Sequence, residues 1–268
     1  MILNFFVDNF FFENMFLVNF YISYQNFCFF MKILDLFPEI ILLVFILFGL
    51  LNIYIDKQYP MFQYYTWLLY LIVVFFALIF SFQNANEVSI IFGFSLIQCW
   101  YTKCSKIFVL VLTFLVLAMS QNKIIIDKKL RSVLEFPLIV GFSLLFLFFL
   151  LSIYDFFGFY LALEGLSLTL YVLAGMLHHS VVSMEAAIKY FALGAIATGF
   201  LLYGMSLLFG IVGSLDFLEL QLFFSNSCQN YKVIAELKIA IFFILFGFFF
   251  KIAAFPCHWW VADVYEGI

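Results

Sequence analysis

Charged residues are scarce in this chain of 268 residues: Asp, Glu, Lys and Arg together make up 10% of it, whereas 67% is hydrophobic. The mean hydropathy is +1.17. A water-soluble domain of this length needs far more polar surface than this composition supplies. The composition therefore excludes a soluble globular domain and predicts a protein embedded in a lipid bilayer.

Motifs that bind nucleic acids, metals or nucleotides are also missing. The 12 basic residues form no run that could follow a phosphate backbone, which excludes nucleic acid as a partner. The five cysteines form no CxxC pair and no spacing suited to zinc or an iron–sulfur cluster. The glycines form no phosphate-binding loop. The chain itself is therefore predicted to hold no metal and no cofactor.

Long apolar segments fill most of the sequence. A helix of about 20 apolar residues spans a bilayer, and its backbone must satisfy its own hydrogen bonds because lipid offers none. Such segments are predicted near residues 39–55, 64–82, 105–121, 137–154, 156–177, 184–211 and 237–260. The predicted fold class is all-α: a polytopic transmembrane helix bundle of about seven or eight spans.

The chain divides into two regions by composition. Residues 1–36 form an N-terminal extension in which Asn and Gln interrupt the apolar residues, and one extra helix is expected near residues 15–31. Residues 37–268 are predicted to form one transmembrane domain. The N-terminus carries no secretory or transit pattern, and the 43 phenylalanines are typical of an AT-rich mitochondrial genome. The predicted location is the mitochondrial inner membrane.

Three charged residues stand out because they fall inside apolar helices. Ten of the 12 basic residues, including Lys106, are predicted to lie in loops or at helix ends. The exceptions are Lys189 and Lys251, and the acid Glu164 is also within a helix. A charge at a helix centre costs about 2.5–3.5 kcal/mol, so such residues normally face a bundle interior or water and mark proton or ion paths.

The surroundings of Glu164 and Lys189 predict different partners. Glu164 has no basic residue within one helical turn, so its partner must come from another helix. The alternative is a protonated core acid. Glu185 precedes Lys189 by four residues, which is the favourable order for an ion pair along a helix. The alternative for Lys189 is a structural pair with a lysine that reaches the membrane surface.

Lys251 follows a long apolar run and precedes Pro256 by five residues. The proline ring removes a hydrogen bond to the Ile252 carbonyl, so the seventh helix is predicted to be discontinuous. Bare backbone at that depth is tolerated where protein or water satisfies it, which favours a hydrated cavity beside the lysine.

Further polar residues follow this predicted break and form a secondary set of candidates: His258, Asp263 and Glu266. A histidine at a membrane interface is more often a hydrogen-bonding residue than a proton relay. Trp259 and Trp260 are typical of the aromatic belt found at membrane surfaces.

Three segments carry a resemblance to a known family: residues 134–175, 183–217 and 246–267. They resemble subunit 2 of respiratory complex I, NADH dehydrogenase (ubiquinone), and LFPEIILLVFILFGL resembles that family's first helix. The resemblance implies the fold of the antiporter-like subunits, which multisubunit cation/proton antiporters share. Glu164 matches the family's acid on the fifth helix, Lys189 the lysine on the sixth, and Lys251 the lysine on the discontinuous seventh. Cys257 and Trp259 depart from the family pattern.

The resemblance implies a membrane-arm subunit in which ionised Glu164 holds a proton on Lys251 or Lys189 and releases it when the pairing weakens. It places NADH, FMN, iron–sulfur clusters and ubiquinone in other subunits. The expected partners are other membrane-arm subunits and lipid. Because the family continues past VYEG, a separate chain is expected to complete the C-terminal half. The alternatives are a cation/proton antiporter subunit and a structural subunit that has lost transport.

Overall fold

The structure, a computed structural model, describes residues 36–55, 69, 71–77, 79, 89–91, 95–126, 135–176, 180–226 and 231–267. The extra helix expected near residues 15–31 lies outside this part of the chain. The named helices are α1 Phe37–Ile55, α2 Trp100–Ile126, α3 Glu135–Ser152, α4 Phe156–Ala174, α5 Val181–Val212, α6 Phe217–Asn226, α7 Tyr231–Lys251 and α8 Trp259–Gly267. Residues 71–77 are also helical.

The helical membrane class is confirmed. Within the described residues, five helical segments are long and apolar enough to cross a bilayer: Trp100–Ser120, Glu135–Ser152, Phe156–Ala174, Val181–Val212 and Val233–Lys251. Helix α1 is apolar over Phe37–Leu51. The predicted total of seven or eight spans remains a prediction.

Two small elements were not predicted from the sequence. Strands β1, Ser89–Ile91, and β2, Leu96–Gln98, pair antiparallel in a hairpin just before α2. The ten-residue helix α6 occupies part of the connection between α5 and α7. Isolated bridges tie both elements to the bundle, since Leu96 pairs with Ile153 and Asp155 with Asp216.

Capping residues fix where the central helices begin and end. Asp155 begins α4, and its carboxylate accepts the Gly158 N–H at 2.7 Å. Gly213 ends α5 in the left-handed conformation, with φ of 84° and its N–H donating to the Phe209 carbonyl. A side-chain acceptor at the start and a left-handed residue after the end satisfy backbone groups that the helix leaves free.

The predicted break in the last span is present, but it begins earlier than the sequence indicated. Helix α7 ends at Lys251, and Ala253 has a left-handed φ of 56°. The Ala253 N–H donates to the Phe250 carbonyl at 3.1 Å, and the Ala254 N–H to the Phe249 carbonyl at 2.8 Å. This pair of bonds is a Schellman motif, which closes a helix. The helix therefore stops before Pro256, which lies between α7 and α8 after a cis peptide bond.

The helices pack through three clusters of buried side chains. One cluster joins α1, α2 and α3 around residues such as Leu42, Leu110 and Phe148. A second joins α5, α6 and α7 around Leu201, Met205, Leu220 and Ile244. The third surrounds the break between α7 and α8: Ala197, Phe250, Cys257, Trp260 and Val264.

Two glycines bring the backbones of α5 and α7 into contact. A Cβ atom at Gly204 would lie 2.9 Å from the Ala240 carbonyl oxygen, and one at Gly247 would lie 2.9 Å from the Ala197 carbonyl oxygen. No side chain fits at either position without moving the neighbouring helix. Close approach at small residues is how membrane helices gain packing energy when lipid and side chains are equally apolar.

Candidate proton-transfer site

Helices α4 and α7 bring Glu164 and Lys251 together. Lys251 Nζ lies 3.5 Å from Glu164 Oε2, and the side chains are 14% and 27% exposed, respectively. The expectation that the partner of Glu164 comes from another helix is confirmed. The lysine is the last residue of α7, so its ammonium lies beside the helix break. We call Glu164 and Lys251 the open pair.

Ser167 is a third member of this site that the sequence analysis missed. Lys251 Nζ donates to Ser167 Oγ at 3.1 Å. The Ser167 hydroxyl lies 2.9 Å from the Glu164 carbonyl oxygen and 3.5 Å from Glu164 Oε2. A hydroxyl has one proton to donate and two lone pairs to accept with. Its place one helical turn after the acid was the available signal, because residues three apart share a helix face.

The length of the open pair makes it sensitive to movement. At an effective dielectric constant of about 20, opposite unit charges separated by the 3.5 Å seen between Lys251 and Glu164 attract by roughly 5 kcal/mol before desolvation. Doubling the separation halves that attraction. A displacement of a few ångströms therefore changes how tightly Lys251 holds its proton.

Lys189 belongs to a different group of charges. Its Nζ lies 2.8 Å from Glu185 Oε1 and 3.6 Å from Asp263 Oδ2. The predicted ion pair between Glu185 and Lys189 is confirmed, and Asp263 of α8 is a second partner. These side chains are well exposed, Lys189 at 44%. Of the two lysines proposed for Glu164, the structure pairs Lys251 with it.

A polar cavity of about 270 Å³ surrounds the Lys189 group. Its lining residues come from the start of α5 and from α8: Val182, Glu185, Ala186, Lys189, Asp263, Glu266 and Gly267. Three carboxylates and one ammonium therefore line this cavity. Among the described residues, no group of three or more His, Cys, Asp and Glu side chains is arranged to hold a metal ion.

The secondary candidates after the break separate into two groups. Asp263 and Glu266 line the Lys189 cavity, whereas His258 is exposed and its ring lies 5.8 Å from that of Phe255. His258 is therefore not among the residues that line this cavity. Trp259 is 61% exposed, but Trp260 is 7% exposed and packs in the core. The aromatic-belt interpretation is wrong for Trp260, because its side of α8 faces α5.

A second lysine–carboxylate pair lies in a part of the bundle where the sequence predicted only helix ends. Lys106 Nζ lies 2.5 Å from Glu39 Oε1 and 2.8 Å from Gln98 Oε1. Lys106 and Glu39 are 2% and 4% exposed, so water is excluded from the pair. We call Glu39 and Lys106 the sealed pair. It was missed because α2 begins at Trp100, five residues before the predicted start, which moves Lys106 from the first turn of the helix to the second.

The sealed pair joins four elements. Glu39 is in the first turn of α1, Gln98 ends β2, and Lys106 is in the second turn of α2. Lys106 Nζ also lies over the Phe148 ring of α3, 5.8 Å from its centroid. A charge held by this many contacts is positioned firmly.

Residues 154–268 match the family described as NADH:quinone oxidoreductase/Mrp antiporter, transmembrane. NADH-quinone oxidoreductase subunit N of Ruthia magnifica subsp. Calyptogena magnifica is 35% identical over 231 residues, which are 86% of this chain and 47% of that protein. The subunit N of Hydrogenovibrio crunogenus is 34% identical over 232 residues, with the same two shares. Residues 154–268 therefore carry the NADH:quinone oxidoreductase/Mrp antiporter domain.

Solved structures agree with this family. Respiratory complex I from Thermus thermophilus matches with a TM-score of 0.66 and 26% identity, over 85% of this chain and 47% of that chain. An archaeal membrane-bound sulfane sulfur reductase matches with a TM-score of 0.67 and 18% identity, over 88% of this chain and 48% of that chain, and shows the fold alone. The chain spans about half the length of the curated relatives it matches.

The family match also divides the charged groups. The open pair and the Lys189 group both lie within residues 154–268, whereas the sealed pair lies before them. The departure at Cys257 is accommodated in the core beside the break, since this cysteine is buried.

Proposed function

We propose that this chain is the N-terminal half of an antiporter-like, proton-translocating subunit in the membrane arm of respiratory complex I. One observation carries the proposal: Lys251 ends a broken membrane helix within 3.5 Å of Glu164 and donates to Ser167. A lysine held loosely by a carboxylate, at a depth where charge is costly, is suited to taking up and releasing a proton. The family match over residues 154–268 supports this proposal.

In the proposed cycle, ionised Glu164 keeps Lys251 protonated while the two side chains are close. When the pair separates, the attraction weakens and Lys251 gives up its proton. Ser167 Oγ accepts from the ammonium and keeps its nitrogen in place. Quinone reduction in other subunits, where NADH, FMN, iron–sulfur clusters and ubiquinone bind, supplies the energy for this separation.

Lys189 is proposed to exchange protons with water. It is the more exposed of the two lysines, at 44% against 14% for Lys251, and it lies in a polar cavity with Glu185, Asp263 and Glu266. Glu185 and Asp263 hold its ammonium from two helices. The arrangement favours Lys189 as the solvent-side site and Lys251 as the membrane-interior site.

The test is Lys251→Met in the intact complex in native membranes, with Lys238→Met as the matched control because Lys238 is an exposed lysine on the same helix. We expect at least a tenfold loss of proton pumping and coupled quinone reduction in the first variant, with assembly retained. The control should pump normally. Full pumping by an assembled Lys251→Met complex would contradict the proposal.

A cation/proton antiporter subunit is the second candidate, because the matching family includes Mrp antiporters. Such a subunit would use the same lysines without an electron-transfer partner. Purifying the native complex and assaying for flavin and iron–sulfur clusters separates the two, since only complex I contains them. A structural subunit without transport would instead leave pumping unchanged in Lys251→Met.

The completing half of the subunit is proposed to pack beside the helix break, from a separate chain. Large apolar side chains there point away from the described bundle: Ile252, Phe255, Trp259 and Tyr265 are all exposed. Helices of a partner chain or lipid would cover this surface. A photoreactive residue at Phe255, followed by peptide identification, tests the partner. Crosslinks only to lipid, or to a later part of the same polypeptide, would refute the separate chain.

The mitochondrial inner membrane is the proposed location. The phenylalanine content supports it, whereas the curated relatives named above are bacterial. Fractionation of cells with detection of this chain in purified inner membranes tests the location. Recovery from a bacterial plasma membrane would contradict it.

A further inference from the structure

Three aromatic rings form a stack at the helix break. The indole of Trp260 is stacked on the Tyr190 ring, at 5.2 Å and 15°, and on the Phe250 ring, at 5.7 Å and 9°. Tyr190 immediately follows Lys189 on α5, and Phe250 immediately precedes Lys251 on α7. The stack therefore contains one residue that is a chain neighbour of Lys189 and one that is a chain neighbour of Lys251.

The polar edge of this indole is buried without a protein partner. Trp260 is 7% exposed, and its Nε1 atom has no hydrogen-bond partner among the residues that the structure describes. A buried donor without an acceptor costs about 1–3 kcal/mol. Natural proteins usually satisfy such groups with an internal water, which makes about three hydrogen bonds.

The geometry of the stack limits where the acceptor lies. An indole N–H points outward in the plane of its ring, whereas the Tyr190 and Phe250 rings are stacked nearly parallel to that plane. Neither aromatic face receives that proton. The acceptor must therefore lie at the indole edge, outside the stack.

We propose that Trp260 is a positioning residue that separates the Lys251 and Lys189 sites and binds, through its indole N–H, a water molecule on the proton path between them. The proton path in this inference rests on the proposed function, whereas the bound water does not depend on it. The stacked rings block a continuous column of water, so protons cross only through molecules held at the ring edge. The Tyr171 ring, 4.6 Å from Tyr190 and edge-on to it, extends the barrier to α4.

The water is tested without any activity assay. A high-resolution electron cryomicroscopy map of the wild-type complex should show an ordered water about 2.7–3.2 Å from Trp260 Nε1. A protein oxygen from a neighbouring chain in that place, or a lipid tail, would overturn the proposal.

The path is tested with Trp260→Phe, which keeps an aromatic ring in the stack and removes the N–H. Trp100→Phe is the control, because Trp100 is an exposed tryptophan at the start of α2. We expect Trp260→Phe to lower pumping about tenfold in an assembled complex and to raise its solvent deuterium isotope effect, with the control unchanged. Wild-type pumping in Trp260→Phe would refute the role. If Lys251→Met also pumps normally, the proposed function fails, and the map still decides on the water.

Discussion

Two of the lysine–carboxylate pairs that join helices in the described residues, the sealed pair and the open pair, differ in length and in exposure to solvent. In the sealed pair, Lys106 and Glu39 lie 2.5 Å apart and are at most 4% exposed. In the open pair, Lys251 and Glu164 lie 3.5 Å apart and are 14% and 27% exposed. Lys106 of the sealed pair lies inside a continuous helix, whereas Lys251 of the open pair is the last residue of a helix that ends at a break.

This difference indicates different roles for chemically similar pairs. Gln98 and the Phe148 ring also hold Lys106, so that moving this lysine breaks several contacts at once. The Lys251 ammonium contacts one hydroxyl, that of Ser167, and one carboxylate, that of Glu164, which lies 3.5 Å away. A buried charge in a membrane is therefore not by itself a mobile proton site. A longer separation and greater exposure distinguish the pair that we propose to switch.

The largest effect is expected from breaking the sealed pair on one side. Lys106→Met leaves the Glu39 carboxylate buried without its cation, which should lower the free energy of unfolding by about 3–5 kcal/mol. The double variant Glu39→Leu and Lys106→Met removes both charges and should recover most of that loss. Assembly yield and thermal stability in membranes measure both. Equal damage in the single and double variants would argue that the pair does more than hold helices.

The next effect concerns the carboxylate of the open pair. Glu164→Gln keeps the side-chain shape and removes the charge that attracts Lys251, so we expect pumping to fall roughly tenfold, a loss of about 1.4 kcal/mol. The pH profile of pumping should move toward lower pH, because Lys251 then releases its proton more readily. Stability should change little compared with Lys106→Met. An unchanged pH profile would favour Glu164 as a neutral core acid.

A smaller effect is expected from the hydroxyl of the open pair. Ser167→Ala removes the oxygen that accepts from Lys251 Nζ, so pumping should fall several-fold while the ion pair remains. Ser206→Ala is the control, since the exposed Ser206 hydroxyl donates only to the Tyr203 carbonyl of its own helix in the described contacts. Equal pumping rates in the two variants would show that Ser167 has no role in proton transfer.

The smallest effect tests the helix end that distinguishes the open pair. Ala253 adopts a left-handed conformation that glycine tolerates better, so Ala253→Gly should raise stability by about 1 kcal/mol. Ala262→Gly, at an exposed position within α8, should lower it by about 0.5–1 kcal/mol. Thermal unfolding of the two variant complexes measures whether stability rises in the first and falls in the second. A loss of stability in both would show that Ala253 is not strained.

Contacts within one helix were predictable from the sequence, and contacts between helices were mostly not. The Glu185–Lys189 pair follows from helical spacing alone, as does the need of Glu164 for a partner elsewhere. The sealed pair required the true start of α2 and a hairpin that brings in Gln98. The turn between α7 and α8 directs Trp260 toward α5, where it is buried. This orientation is determined by packing between helices and cannot be read from the composition.

The close approaches at Gly204 of α5 and Gly247 of α7 have a consequence for motion. A backbone carbonyl oxygen of the facing helix lies against each glycine, so sliding or rotation of α5 against α7 would bring backbone atoms into collision. We expect the two helices to move as one body. The distance between Glu164 and Lys251 would then change by a shift of α4 against that body or by rotation of the side chains themselves. Bulk added at either glycine, as in Gly247→Ala, would force the body apart and change the geometry of Lys251 from four residues away.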